Sequence, residues 1–327
     1  MSLDIFYSRK DMVEKVMYEI VPFEKEPFEV YGISAEFLRR GGKRFRPLMT
    51  LSCAKLCGGK LEDALSPAVA IELFHNFTLI HDDIEDNSQL RRAEPCLHIK
   101  YGLPLAINAG DGLFMMVWRA ALLMKQKHSY QAQQILLDAF TSVLEGQAME
   151  LSWHQKNSWD LTESDYLKMA GGKTASLIRA SCHSGALLGG GSKKEQDALA
   201  DFGYKIGLAF QIQDDLLNLI GEEEKYKKEI GGDIREGKRT LMVLHCLPRL
   251  SAQDANKMRK ILGESKTTPE QIDWCITKMK STGSIDYASK YAANLIKKAV
   301  ENLSIFSNCP EKTSLLSVAQ YIIKREE

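Results

Sequence analysis

The sequence predicts an all-α fold built from long helices, and three observations predict it. Apolar residues recur every three to four positions over stretches such as AFTSVLEGQAMELSW and EQDALADFGYKIGLAFQIQDDLLNLI, the period of a helix with one buried face. Only nine prolines occur in 327 residues, and none lies between Pro104 and Pro248. Alternating strand patterns joined by hairpin turns are scarce. With no linker-like stretch, the chain reads as one large domain over residues 1–327.

Along the chain, Gly41-Gly42 is the first break. Ser66 then reads as an N-cap with Pro67 at the first helical position, followed by AVAIELFHNFTLIHDDIED. Gly171-Gly172 reads as a connector after which a new helix begins, aiming free backbone N–H groups at an anion. Gly189 to Gly191 is another connector. Ser192 and Glu195 form a capping box before a helix that runs to about Leu219, where Gly221 ends it. Residues 221–239 (GEEEKYKKEIGGDIREGKR) read as a mobile polar loop, and Thr268, Pro269 and Gln271 repeat the capping signature.

Composition excludes several classes of function. The 43 basic and 43 acidic residues cancel, so nucleic acid, which needs an excess of Lys and Arg, is excluded as the default partner. Seven scattered cysteines without a C-x-x-C pair read as reduced thiols of an intracellular protein, not as disulfides or a zinc site. The N-terminus lacks the uninterrupted apolar core of a signal peptide, and no stretch is long and uncharged enough for an integral membrane segment. A cytoplasmic protein is expected.

The sharpest feature is Asp82-Asp83-Ile84-Glu85-Asp86 near the end of the helix that starts at Ser66. At about 100° per residue, Asp82 and Asp86 share a face and Asp83 points to a neighbouring one. Carboxylates so paired repel unless a cation lies between them, and hard oxygen ligands suit magnesium. Taken alone, D-D-x-x-D is better read as a solvated acidic helix end. The second cluster, Phe210-Gln211-Ile212-Gln213-Asp214-Asp215, also ends a long apolar helix, where the helix dipole disfavours acids. Two helices that accept the same cost point to function. Basic residues answer them: Lys43, Arg44 and Arg46 in GGKRFRP, the pair Arg91-Arg92, Lys173 beside Thr174, and Lys228 and Lys238 in the polar loop. His75 precedes Asp82 by seven residues, nearly two helical turns, and so shares its stripe.

With these motifs in this order from Gly41 to Leu241, the chain resembles the trans-isoprenyl diphosphate synthases, the polyprenyl synthetase family, and especially geranylgeranyl synthases of the archaeal type. The resemblance implies a homodimeric helical bundle around a central cavity. By the same resemblance, Asp82, Asp86 and Asp214 hold magnesium ions, while Arg91, Lys173, Lys228 and Lys238 bind an allylic diphosphate (dimethylallyl, geranyl or farnesyl). Lys43, Arg46, His75 and Arg92 bind isopentenyl diphosphate. Thr174 and Gln211 supply oxygens near the allylic cation. Asn218 stands where many members carry a third aspartate, which weakens support of the metal site.

Product length is set in the family by the residues four and five before the first motif, here Thr78 and Phe77. An aromatic at Phe77 with no insertion in D-D-x-x-D resembles enzymes making a four-unit product. An ideal helical wheel puts Thr78 under Asp82 and turns Phe77 aside, so Phe77 also fits as a core aromatic. Phe74, one turn further down, is a candidate second barrier, with farnesyl or longer products as the alternative. A class I terpene cyclase would need a different second metal motif, and a non-catalytic partner subunit typically lacks both acidic motifs.

Overall fold

The computed structural model describes residues 2–125, 127–221, 230–264 and 267–323. Among the described residues the elements are helices, apart from the two-residue strands Leu90–Arg91 and Glu94–Pro95, which pair antiparallel. The longest helices are Leu61–Glu85, Leu103–Leu122, Ser129–Gln155 and Lys193–Ile220. The chain divides into two compact units. One comprises Met1–Asp138, Ala180–Ala200 and Ile305–Leu315; the other comprises Ala139–Arg179, Asp201–Ser304 and Leu316–Glu327.

In the first unit, helix Leu61–Glu85 packs against Phe45–Leu56 and Leu103–Leu122. Its segment Ala68 to Phe74 is buried on every side and apolar except for Glu72. That segment continues upstream of the expected start. The helix begins at Leu61 after Lys60, so Ser66 caps nothing and Pro67 lies inside it. Proline there removes the bond to the Asp63 carbonyl and crowds that carbonyl with its ring, a cost the packing must outweigh. The buried Ala64, Pro67 and Ala68 show that the extra turns are held by packing.

Gly171-Gly172 also departs from the expected connector. Helix Glu163–Ala170 does not stop there; it runs through a wide turn, Gly171–Ala175, into Ser176–Leu188. The Gly171 N–H bonds to the Leu167 and Lys168 carbonyls and the Ser176 N–H to that of Gly171, so no open helix start faces an anion. The glycines serve packing instead. A Cβ on Gly146 would lie 2.4 Å from the Lys173 nitrogen, and one on Gly172 would lie 2.7 Å from the Ser142 carbonyl oxygen, so the two backbones touch directly. Wide turns of this kind collect at functional sites.

Other elements follow the sequence closely. Ser192 accepts from the Glu195 N–H while the Glu195 carboxylate accepts from the Ser192 N–H at 2.7 Å, ahead of helix Lys193–Ile220. Thr268 and Gln271 form the same box before Pro269–Ser281. Within the polar stretch, where it is described, Gly232–Arg235 is a helical turn with Ile234 buried. No helix among the described residues is long and apolar enough to cross a membrane. All seven cysteines are free thiols, five of them buried.

Candidate active site

In the first unit, Asp82 and Asp83 occupy the last turn of Leu61–Glu85 and Asp86 is the residue that ends it. Asp82 is half-buried, Asp86 exposed and Asp83 buried. Asp83 is turned onto Arg91, whose Nε and Nη2 donate to its Oδ1 at 2.8 and 2.5 Å. The first arginine of the pair is thus held by the middle aspartate. The Cys96 thiol lies in the same place; burial and the Asp83 carboxylate push it up to about 11.

Arg92 and Ala93 are the two central residues of the hairpin turn, both at positive φ (56° and 64°), a strained backbone for non-glycine residues. Arg92 Nη2 reaches Asn76 Oδ1 at 3.4 Å, and its guanidinium lies 5.7 Å from the Phe37 ring. Arg44, also left-handed (φ 51°), is fully buried: it donates to Glu14 and Glu72 at 3.0 Å each and to the Leu38 carbonyl at 2.8 Å. Around it stand Arg46 and His75. Burial, then the charges of Arg46, Arg92, Arg91 and Arg44, hold the His75 imidazole well below its ordinary value of 6.5, so the ring is neutral. Burial and Arg44 bring Arg92 down to about 10. Two donors here, Arg46 Nε and Arg92 Nη1, are buried without a hydrogen-bond partner. An unmatched buried donor is costly, and an anion would satisfy both. Lys43 is exposed beside them on the Gly41 to Arg44 segment.

Below the aspartates the same helix carries an aromatic cluster. Phe74 and Phe77 lie 5.5 Å apart, and both meet Phe114 of helix Leu103–Leu122, at 6.2 and 5.1 Å. Phe114 in turn touches Trp118, 6.4 Å away. Thr78 spends its hydroxyl on the His75 carbonyl at 2.9 Å.

The second unit gathers the rest. Lys173 binds Glu150 at 2.5 Å, and Lys238 binds Asp233 at 3.1 Å and Glu236 at 2.6 Å. Burial opposes the Glu150 charge, but Lys173 and Lys238 outweigh it and keep the carboxylate ionised. Burial likewise opposes the Lys238 charge, and Asp233, Glu236 and Glu150 overcome it and hold its ammonium well above the ordinary range. Burial, then Asp233, and in smaller part Asp214, push the Asp215 carboxyl up. Tyr166 donates to Asp215 at 2.7 Å, Gln211 donates to Asp215 at 2.8 Å, and Thr174 donates to Gln211 at 2.7 Å. Asn218 is buried and its side-chain oxygen accepts the Asp233 N–H at 2.9 Å. Asparagine therefore anchors the segment that carries Asp233 and Lys238 without adding a charge to crowded carboxylates. Lys228 lies outside the described residues. Among the described residues no three His, Cys, Asp or Glu side chains converge as a ready metal cage.

Comparison with known proteins fits this geometry. The Polyprenyl synthetase family model matches residues 29–279. The chain belongs to the polyprenyl synthetase family. This polyprenyl synthetase is 36% identical over 328 residues to a geranylgeranyl diphosphate synthase of Methanosarcina mazei, covering 99% of this chain and 98% of that one. The crystal structure of a geranylgeranyl pyrophosphate synthetase from Pyrococcus horikoshii superposes with a TM-score of 0.94 at 34% identity, over 99% of this chain and 98% of that one. A polyprenyl synthase from Caulobacter crescentus, complexed with calcium and isoprenyl diphosphate, superposes with a TM-score of 0.90 at 28% identity, over 100% and 97%.

Sequence reading missed several residues of the polyprenyl synthetase's polar clusters, among them Glu72, Asn76, Glu150 and Tyr166. Glu72 and Asn76 lie on the His75 helix at helical spacing, a signal that was available. Glu150 and Tyr166 are single residues with no pattern around them.

Proposed function

We propose that the chain is a magnesium-dependent prenyltransferase of the cytoplasm, joining isopentenyl diphosphate head-to-tail to an allylic diphosphate, with geranylgeranyl diphosphate as main product. The observation that carries this is the neutral His75 among four arginines, with Arg46 Nε and Arg92 Nη1 buried and unmatched. Together with Lys43, these groups form the isopentenyl diphosphate site. Arg91, Lys173, Lys228 and Lys238 take the allylic diphosphate.

Asp82 and Asp86 of the first unit and Asp214 of the second are the proposed magnesium ligands. Their oxygen-only donor set suits that ion, and the negative charge that Asp214 presses on the Asp215 and Asp233 carboxyls is of the kind a divalent cation relieves. When bound, magnesium neutralises the charge that develops on the departing diphosphate. The lysines and Arg91 add to that neutralisation. The allylic carbon–oxygen bond breaks with its electron pair going to the diphosphate. The double bond of isopentenyl diphosphate supplies the electrons of the new carbon–carbon bond, and the resulting cation loses a proton to a diphosphate oxygen. Thr174 and Gln211 present oxygens to the allylic cation, and apolar walls keep out the water that would quench it.

Phe77, Thr78 and Phe74 are the proposed floor for the growing chain, and the contact of Phe77 and Phe74 with Phe114 supports a floor wider than one residue. Farnesyl or longer products are the alternative. Exposed apolar side chains on one helix, among them Leu103, Ile107, Met115 and Leu122, support a homodimer. Incubation with labelled isopentenyl diphosphate, an allylic diphosphate and magnesium, with product analysis, tests the reading; no condensed product would overturn it.

A further inference from the structure

We propose that Asn76 is a positioning residue for isopentenyl diphosphate binding: its side-chain oxygen holds the Arg92 guanidinium through a neutral contact, which leaves Nη1 and the full positive charge for the diphosphate. The inference rests on the isopentenyl diphosphate site proposed above and concerns groups of the first unit alone.

The orientation of Asn76 is fixed at both ends. Its Nδ2 donates to the Glu72 backbone carbonyl at 2.8 Å and to Glu72 Oε1 at 3.1 Å. A backbone carbonyl can only accept, so the NH2 group must lie on that side. The side-chain oxygen then faces Arg92, whose Nη2 approaches it at 3.4 Å, and a guanidinium can only donate. Turning the amide over would set acceptor against acceptor at one end and donor against donor at the other. Asn76 is fully buried, so water does not compete for either contact.

Two further contacts confine the same guanidinium. It lies 5.7 Å from the centre of the buried Phe37 ring, and the Gly42 backbone passes so near that a Cβ there would lie 3.2 Å from Nη2. With Nη2 so held, Nη1 is the buried donor left unmatched. Neighbouring arginines are spent differently: Arg44 pairs with Glu14 and Glu72, and Arg91 pairs with Asp83. Those carboxylates cancel the charge they bind. Arg92 meets an amide oxygen instead, so it is anchored without being neutralised. A long side chain ordered in advance adds affinity, because its freedom is not lost when the anion arrives.

The alternative is that Asn76 merely serves helix Leu61–Glu85 by satisfying Glu72. A double-mutant cycle with Arg92 separates the two readings. Wild-type condensation is measured first, since its absence would overturn the proposed function itself. Asn76→Ala should then raise KM for isopentenyl diphosphate about tenfold, with kcat and KM for the allylic diphosphate unchanged within about twofold. Arg92→Met should raise the same KM, and no rise would overturn the site on which the inference stands. In that background, with no guanidinium left to hold, Asn76→Ala should change nothing further. Equal rises with and without the guanidinium, no rise in the wild-type background, or a fall in kcat as large as the rise in KM would overturn the inference. Should alanine at this buried position prevent folding, Asn76→Ser makes the same test. Its hydroxyl can bond back to the Glu72 carbonyl, as Ser34 bonds to the Val30 carbonyl at 2.6 Å, but is too short to hold Arg92. A wild-type KM for isopentenyl diphosphate in that variant would equally overturn the inference.

Discussion

His75 stands among Arg44, Arg46, Arg91 and Arg92, and its neutrality has a stability consequence. Unfolded, its imidazole titrates near 6.5; folded, burial and the arginines hold it well below. The unfolded state therefore binds more protons in the window between the two values, so stability is present above about 6.5 and is lost as pH falls through that window. The His75→Asn variant should show a shallower fall of Tm on acidification, and an unchanged slope would contradict the neutral ring. Arg44 makes a second prediction. Replacing it with Met strands the buried Glu72 carboxylate, which should cost about 3–5 kcal/mol in a denaturant titration. A loss below about 1 kcal/mol would mean the pair behaves like a surface bridge. In the sequence, Arg44 is one basic residue among three in GGKRFRP. Nothing in that spacing distinguishes Arg44 from Lys43 and Arg46, the proposed diphosphate ligands, because the left-handed backbone that turns it inward is a tertiary result.

At the scale of elements, period and capping were legible where local chemistry decides. The two capping boxes and the end of Lys193–Ile220 follow from side chains that act on their own backbone. Pro67 and Gly171-Gly172 were misread for one shared reason. Both look like local breaks, and in both places packing overrides the local preference: buried small residues hold the helix through Pro67, and backbone contact with Gly146 holds the turn at Gly172. Both aspartate motifs were readable because each ends a long helix. The aromatic cluster was half readable, since Phe74 and Phe77 share a helix while Phe114 comes from another. The element-level prediction concerns that cluster. Phe77→Ala should lengthen the product by one or more five-carbon units, and Phe77→Ala with Phe114→Ala should lengthen it further. Chromatography of the dephosphorylated products decides it; an identical distribution from a folded, active variant would remove the floor from Phe77.

For the molecule as a whole, the all-α class and the family were legible from composition, periodicity and motif order. What was not legible is how charge is distributed within each unit. A sequence with no net charge folds four arginines around one neutral histidine in the first unit, and crowds carboxylates with two lysines in the second. Internal pairs such as Arg44 with Glu72, Arg91 with Asp83 and Lys173 with Glu150 hold that crowding in the folded chain, and the central proposal is that the groups they leave unmatched take ligands of opposite sign. It is tested most directly by single-turnover condensation of isopentenyl diphosphate with farnesyl diphosphate, with magnesium and with chelator, in the wild type and in Asp82→Ala and Asp214→Ala. The account predicts geranylgeranyl diphosphate from the wild type only with magnesium. It predicts a loss of roughly a thousandfold or more in either variant, each still folded by circular dichroism. Wild-type turnover in chelator, or either variant retaining the wild-type rate, would contradict it.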